Sequence, residues 1–399
     1  MNRRIVITGI GPVSGIGTGV AEFTRGLRTG RNGVVPISRF DSAGFERKVA
    51  GEVGDFRPES LLRRLDVDDW GSTSLFAAAA ARLAVDDAGI DLPASRTAVV
   101  MGTTNGEIAP LVDITADWFR DGPAVPDRAS VRKLPASRLG LAVSRELGLR
   151  GEATTLATAC AAGNYALGHA FDLLTLGEAD VAIAGGADSV NRFVHAGFHR
   201  IGALTADRCR PFDADRTGIA TAEGGIALVL ETLDSARARG ARVYAEILGY
   251  GMSCDAIHPV APDADSIARA IRSAHKRSGI APDQVDYICA HGTGTRANDV
   301  VESTAVRAVF GAVPPPMSSV KSMLGHTMGA ASGFGAAASA LSIHHGFLPP
   351  TINHVIPDPE LQDIDIVPNE ARDADVSIVQ NHGFAFFGNN AIIVLGRPE

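Results

Sequence analysis

One pattern occurs twice in this chain and restricts its fold more than any other feature. Val99-Val100-Met101-Gly102-Thr103-Thr104 is followed by a long helical stretch, then by a polar turn that opens a small-residue helix at Cys160. Cys289-Ala290-His291-Gly292-Thr293-Gly294 is likewise followed by a helical stretch, a polar turn and a small-residue helix at His326. Residues 4–11 and 244–251 serve as the two first strands. The repeat predicts duplicated α/β halves, residues 1–240 and 241–399. It brings the cysteine and both histidines to one internal interface.

The elements inside this repeat follow from apolar periodicity. Residues 74–87 form a helix stopped near Gly89, and 97–101 and 181–184 are buried strands. Residues 154–156 are a buried strand and 161–176 the helix after Cys160. Strands alternating with helices mean an α/β architecture with buried sheets. Residues 103–135, with Pro110, Pro123 and Pro126, are irregular and form a lid or interface excursion.

Bulk properties narrow the class. A chain of 399 residues with 45% hydrophobic and 21% charged residues has the composition of a globular enzyme. A net charge of −8, without a lysine run or arginine-rich tail, argues against nucleic acid or an anionic membrane as main partner. Cys160, Cys209, Cys254 and Cys289 show neither C-x-x-C pairing nor zinc-like spacing with histidine, so no metal is expected. Four scattered thiols fit a reducing compartment. Met1-Asn2-Arg3-Arg4 leads directly into the β-branched run Ile5-Val6-Ile7-Thr8-Gly9, not into a signal-peptide core. A cytoplasmic protein is expected.

Thr8-Gly9-Ile10-Gly11-Pro12-Val13-Ser14-Gly15-Ile16-Gly17 imitates a dinucleotide-binding turn. Pro12 interrupts it, the glycine spacing is wrong, and no ribose-binding acid follows. It reads as a glycine-rich turn leaving the first strand. No Tyr-x-x-x-Lys pair, G-x-S-x-G elbow or P-loop is present.

The chemistry rests on Cys160, in Thr158-Ala159-Cys160-Ala161-Ala162-Gly163. A thiol at a helix N-terminus meets unpaired N–H groups and the positive end of the macrodipole. Both favour thiolate, the reactive form. Taken alone, a cysteine in an alanine-rich helix start is more often a small buried residue. His291 could likewise be a hydrogen-bonded core histidine. Their joint placement in glycine- and threonine-rich turns at element ends, with Lys321-Ser322-Met323-Leu324-Gly325-His326, points instead to displayed catalytic groups.

Three motifs then occur in order: T-A-C-x-x-G at Cys160, H-G-T-G-T-x-x-N-D-x-x-E from His291 to Glu302, and K-S-x-x-G-H from Lys321 to His326. With Arg210-Pro211-Phe212-Asp213 and Glu223-Gly224-Gly225, this set resembles the elongating β-ketoacyl-acyl carrier protein synthases. The resemblance runs from first strand to last. It implies a thiolase-like α/β fold, duplicated halves in a five-layer αβαβα architecture. It further implies that Cys160 carries the acyl chain as a thioester, and that malonyl carrier protein loses CO₂ to give the attacking enolate. His291 and His326 stabilise that enolate, and the N–H groups of Cys160 and Phe386 form the oxyanion hole. Lys321 pairs with Glu302 behind the histidines, Thr293 and Thr295 hold the pantetheine arm, and Phe198 walls the acyl pocket. The implied partners are an acyl carrier protein bearing phosphopantetheine, and a second synthase chain. That chain is either an identical copy or a chain-length-factor-like homologue. No cofactor bound by the chain itself is implied.

Thiolases use a second cysteine and initiating synthases Cys-His-Asn, so His326 favours a decarboxylating, elongating enzyme. Alternatives are a fatty-acid elongation synthase, a non-elongating acyltransferase on the same fold, and a non-catalytic chain-length-factor-like subunit, which would lack the cysteine. The chain departs from the family at its C-terminal gate, where G-F-G-G is replaced by Ala385-Phe386-Phe387-Gly388. Thr217 and Ala222 stand where aspartate and glycine are usual. An extra aromatic at Phe387, read as substrate-facing, favours a flat or unsaturated chain and hence polyketide assembly. Arg200, Arg208 and Arg210 are candidates for carrier docking.

Overall fold

The first strand, β1 (Ile5–Ser14), is buried over its whole length, as a strand covered on both faces must be. It runs through most of the glycine-rich stretch, and the expected turn comes at its end, where Gly15 and Ile16 fold the chain back so that Ser14 pairs antiparallel with Gly17. The glycines serve packing: a Cβ at Gly9 would stand 2.1 Å from the Ala84 carbonyl oxygen, and one at Gly11 1.9 Å from that of Ala80. Both carbonyls lie on α1 (Ser72–Ala88), whose Ala77 to Ala81 are fully buried. Gly89 ends α1 in the left-handed conformation, φ 56°, as a glycine cap does.

The computed structural model describes residues 3–361 and 364–399; Met1, Asn2, Gln362 and Asp363, and with them half of the opening Met1–Arg4 stretch, lie outside the described residues. The first half continues with β2 (Thr97–Gly102), α2 (Ile108–Asp121), α3 (Arg128–Lys133), α4 (Arg138–Leu147) and β3 (Ala153–Leu156). Then come α5 (Ala162–Leu176), β4 (Val181–Asp188), α6 (Arg192–Arg200) and β5 (Gly224–Thr232). The second half holds β6 (Ala245–Cys254), α7 (Ala264–Ser278), β7 (Tyr287–Cys289), α8 (Arg296–Phe310) and β8 (Met317–Ser318). It closes with α9 (Ala331–His345), β9 (Ile378–Phe384) and β10 (Asn389–Gly396).

The strand order β3-β2-β4-β5-β1 recurs as β8-β7-β9-β10-β6, and the two runs join where β1 pairs antiparallel with β6, Ile5 opposite Ile247. The pairing senses repeat as well. β2 lies parallel to β3 and β4, as β7 does to β8 and β9, and the remaining pairs are antiparallel. One order and one set of senses, repeated strand for strand, is a duplicated unit.

Helices α1 and α4 cover the outer face of the first run, α7 and α8 that of the second, and α5 and α9 lie between the runs. The result is five layers, αβαβα. The central helices touch through glycine: a Cβ at Gly163 would stand 2.5 Å from the Gly333 nitrogen. This close approach brings the starts of α5 and α9, and with them Cys160 and His326, to the middle of the molecule.

Two expected features differ. β3 is exposed or half-buried rather than buried, because it is the edge strand and pairs only with β2. Residues 103–135 are not irregular: α2 and α3 form there, Pro110 falling in the first turn of α2, where its missing N–H has no partner to lose. Neither helix buries a single residue, and Phe119 on α2 and Val125 in the link between the two are apolar yet 89% and 96% exposed.

Candidate active site

After β3 the chain passes Ala159 at φ 47° and makes a 3₁₀ turn, Ala159–Ala161, that sets Cys160 against the start of α5. A non-glycine residue in that region is strained, which marks the turn as one the fold imposes. Cys160 is 6% exposed. Its thiol is pushed up to about 11, chiefly by burial and further by Asp188, against the Lys321 ammonium and the N–H groups of Cys160 and Phe386. The expected resting thiolate is therefore overturned: loss of hydration outweighs the helix terminus. The two N–H groups expected to form an oxyanion hole do interact with this sulfur.

His291 follows β7, and His326 precedes α9. Their rings stand nearly perpendicular, centroids 5.7 Å apart. Lys321 Nζ donates to the His291 carbonyl at 2.6 Å and faces its Nδ1 at 3.4 Å. The Met328 N–H donates to His326 Nδ1 at 3.1 Å. In both rings Nδ1 accepts, so a neutral imidazole carries its proton on Nε2. Burial, with the Lys321 charge second, holds both histidines well below their usual range, and they are neutral at physiological pH. The arrangement presents two Nε2–H donors.

Lys321 and Glu302 were expected to pair. Among the described residues Lys321 makes no ion pair with a carboxylate within 4.0 Å; its ammonium is held by the His291 carbonyl instead. Glu302 accepts the N–H groups of His291 and Gly292, both at 2.8 Å, and its side-chain partner is the His382 ring, whose Nδ1 stands at 2.8 Å. The motif spacing placed Lys321 and Glu302 correctly beside His291, but on different groups of its backbone.

Asp188, at the end of β4, was not singled out. It is buried and accepts from the Thr103 hydroxyl at 2.8 Å and from the N–H groups of Thr104 and Gly329 at 2.8 and 2.7 Å. Burial raises it to about 6. It thereby ties the end of β2 to the turn after His326, a junction between halves that no local pattern displays. Asp299, within the His291 motif, similarly collects the Phe212, Thr293 and Gly294 N–H groups. That explains why the segment from Arg210 to Asp213 accompanies the motif.

Cys160, His291 and His326 line one cavity of about 60 Å³, together with Thr293, Thr295, Phe198 and Phe386. The Thr293 and Thr295 hydroxyls are bonded to one another at 2.9 Å. Phe198 lies against Phe386, ring centroids 5.6 Å apart, and the two aromatics wall one side. Lys321 and Glu302 sit behind. Phe387 does not line the cavity as expected: it is 69% exposed, on the outer side of the gate. Its backbone takes φ 64°, ψ 12°, and its N–H donates to the Pro259 carbonyl at 2.7 Å. The position usually held by glycine thus keeps the left-handed conformation while carrying a side chain.

That strain is of the order of 1 kcal/mol, and glycine's greater unfolded-state entropy is of similar size. Phe387→Gly is accordingly expected to change stability to denaturant by less than about 1 kcal/mol. Hydrogen exchange at residues 385–388 should nevertheless accelerate. Unchanged exchange there would show that Phe387 does not stiffen the gate.

A buried thiol beside two neutral imidazoles, at the centre of a duplicated five-layer αβαβα unit, defines a thiolase-fold acyltransferase. Family models for the beta-ketoacyl synthase N-terminal and C-terminal domains match residues 2–236 and 244–355. The chain belongs to the beta-ketoacyl synthase family. Over its full length it is 38% identical to a 3-oxoacyl-[acyl-carrier-protein] synthase 2 of Synechocystis, of which 99% is covered. It is 51% identical to a solved chain of the ishigamide ketosynthase/chain length factor, TM-score 0.98, and 31% identical to a beta-ketoacyl synthase from Burkholderia phymatum, TM-score 0.91, each pair covered completely. A ketosynthase solved with its type II polyketide acyl-carrier protein (AntDE:AntF) is 30% identical, with TM-score 0.90 and complete coverage of both chains.

Proposed function

We propose that this chain is the catalytic ketosynthase of a type II polyketide assembly, condensing malonyl-acyl carrier protein with an acyl chain held on Cys160. In this reading residues 1–240 supply the thiol and residues 241–399 both imidazoles. The observation that carries it is the pair of Nε2–H donors on the cavity that contains Cys160.

In the first half-reaction, Cys160 sulfur attacks the thioester carbonyl of an acyl carrier protein. The N–H groups of Cys160 and Phe386 hold the oxyanion, and the Cys160 proton leaves with the departing pantetheine thiol. Because burial raises the thiol pKa, the sulfur has to give up its proton as it attacks. In the second, malonyl carrier protein loses CO₂. The electron pair of the broken C–C bond forms an enolate, whose oxygen receives the two Nε2–H bonds. Neutral donors gain most as that charge develops; carboxylates would repel it. The enolate carbon attacks the Cys160 thioester, and the tetrahedral oxyanion collapses to β-ketoacyl carrier protein. Cys160 leaves as thiolate and takes a proton from solvent. Thr293 and Thr295 line the approach of the pantetheine arm, and Lys321 keeps His291 neutral and oriented.

The pathway reading is supported by the 51% identity to the ishigamide ketosynthase/chain length factor, against 38% for a fatty-acid-type synthase. Cys160 argues against a chain-length-factor-like role. A second synthase chain would cover the apolar surface of α2 and α3 and the free edge of β3. Arg200 and Arg208 are exposed, while Arg210 is held by Asp207 at 2.9 Å, leaving the first two freer to meet an acidic carrier. No helix among the described residues is long and apolar enough to cross a membrane, and four free cysteines fit the cytoplasm.

The experiment compares turnover of saturated, polyenoyl and poly-β-keto acyl carrier proteins with malonyl carrier protein. The unsaturated or polyketonic chains are expected to react at least about tenfold faster, about 1.4 kcal/mol in transition-state binding. A clear preference for saturated chains of medium length would move the enzyme to fatty-acid elongation.

A further inference from the structure

We infer that His382 is a positioning residue for the decarboxylation step, acting through Glu302 and Phe384 to fix the peptide and the ring of His291. The inference rests on the reading of His291 as an enolate donor and extends it to a residue that never touches substrate. His382 lies on β9, fully buried, and is absent from the cavity lining.

Two routes lead from it to His291. The first is polar: His382 Nδ1 donates to Glu302 Oε1 at 2.8 Å, and the same oxygen accepts the His291 N–H at 2.8 Å, while Oε2 accepts that of Gly292. The second is aromatic: Phe384 packs between the two rings, its centroid 5.2 Å from that of His382 and 5.4 Å from that of His291.

The chain of donors behind His382 has only one direction with the ring neutral. With Nδ1–H committed to Glu302, the Nε2 lone pair accepts the Gln380 amide N–H. The Gln380 carbonyl in turn accepts His275 Nε2–H at 2.6 Å. His275 belongs to α7 and is 5% exposed, and Gln380 is fully buried. Both ring nitrogens of His382 are engaged, so the ring cannot rotate without leaving buried groups unpaired. It anchors a carboxylate that would otherwise rest on backbone N–H groups and Asn298 alone.

The role is tested by separating the half-reactions. In His382→Leu, which keeps bulk but loses the donor, CO₂ release from malonyl carrier protein is expected to fall by about 10- to 100-fold, the scale of a small misplacement. Acyl transfer onto Cys160, which needs no His291 donor, should stay within about threefold. His382→Asn places an amide nitrogen where Nδ1 stands and should return CO₂ release to within about threefold of the parent. Should the leucine protein not accumulate, His382→Ser, too short to reach Glu302, carries the same expectation. Parental CO₂ release in the leucine or serine protein, an asparagine protein as slow as they are, or a parallel fall of both half-reactions would each overturn the inference. His291→Ala is measured beside them. If it retains CO₂ release, the reading of His291 fails; if it loses it while the His382 series does not, only the present inference fails.

Discussion

Cys160→Ala is expected to lower condensation by about 10⁴-fold or more, the scale seen when a nucleophile is removed outright. No other thiol lines the cavity, and its hydroxyls belong to Thr293 and Thr295, which are bonded to each other. CO₂ release from malonyl carrier protein should survive within about tenfold, because both imidazoles and their Nδ1 partners are untouched. Intact-mass analysis of the acyl-enzyme and a CO₂ assay separate the two activities. Condensation persisting in the alanine protein would end the thioester mechanism; CO₂ release vanishing with it would mean that the histidines act on the sulfur, not on the malonyl group.

The second large effect belongs to His326→Ala. It removes one of two preorganised donors to the developing enolate. Removing one such donor costs about 10²–10³ in kcat, or roughly 2.7–4 kcal/mol. Acylation of Cys160 should change by less than about threefold, since the Cys160 and Phe386 N–H groups remain. Single-turnover acylation and steady-state CO₂ release read the split. Equal losses in both would assign His326 to the nucleophile's activation.

The fold was largely legible because its repeat is carried by short apolar runs whose order survives duplication. Parallel apolar stretches in the two halves became β2 and β7, and the glycine-rich turns became the ends of strands and starts of helices. What stayed hidden depends on atoms brought together from far along the chain. Glu302 meets His382 across eighty residues, and Asp188 meets Gly329 across 141; no spacing rule reaches that distance. The Cys160 thiol was misjudged for a related reason. Helix position is visible in sequence, but the burial that outweighs it arises only when α5 and α9 close on one another. At the gate, Phe387 was recognised as unusual, yet its direction depends on a left-handed backbone that glycine normally supplies. The helices α2 and α3 were missed because three prolines read as breakers, though one falls in a first turn and two between helices.

The smallness of the cavity has a consequence for how chain length is chosen. Its volume of about 60 Å³ admits no more than a few waters, so the cavity at Cys160 has no room for a substrate tail as it stands. On the proposed reading, a tail held on Cys160 has to part Phe198 and Phe386, whose rings wall that cavity. Selection then becomes a matter of the work needed to open that seam, and tails too short or too pliant to hold it open would be rejected without ever meeting a wall.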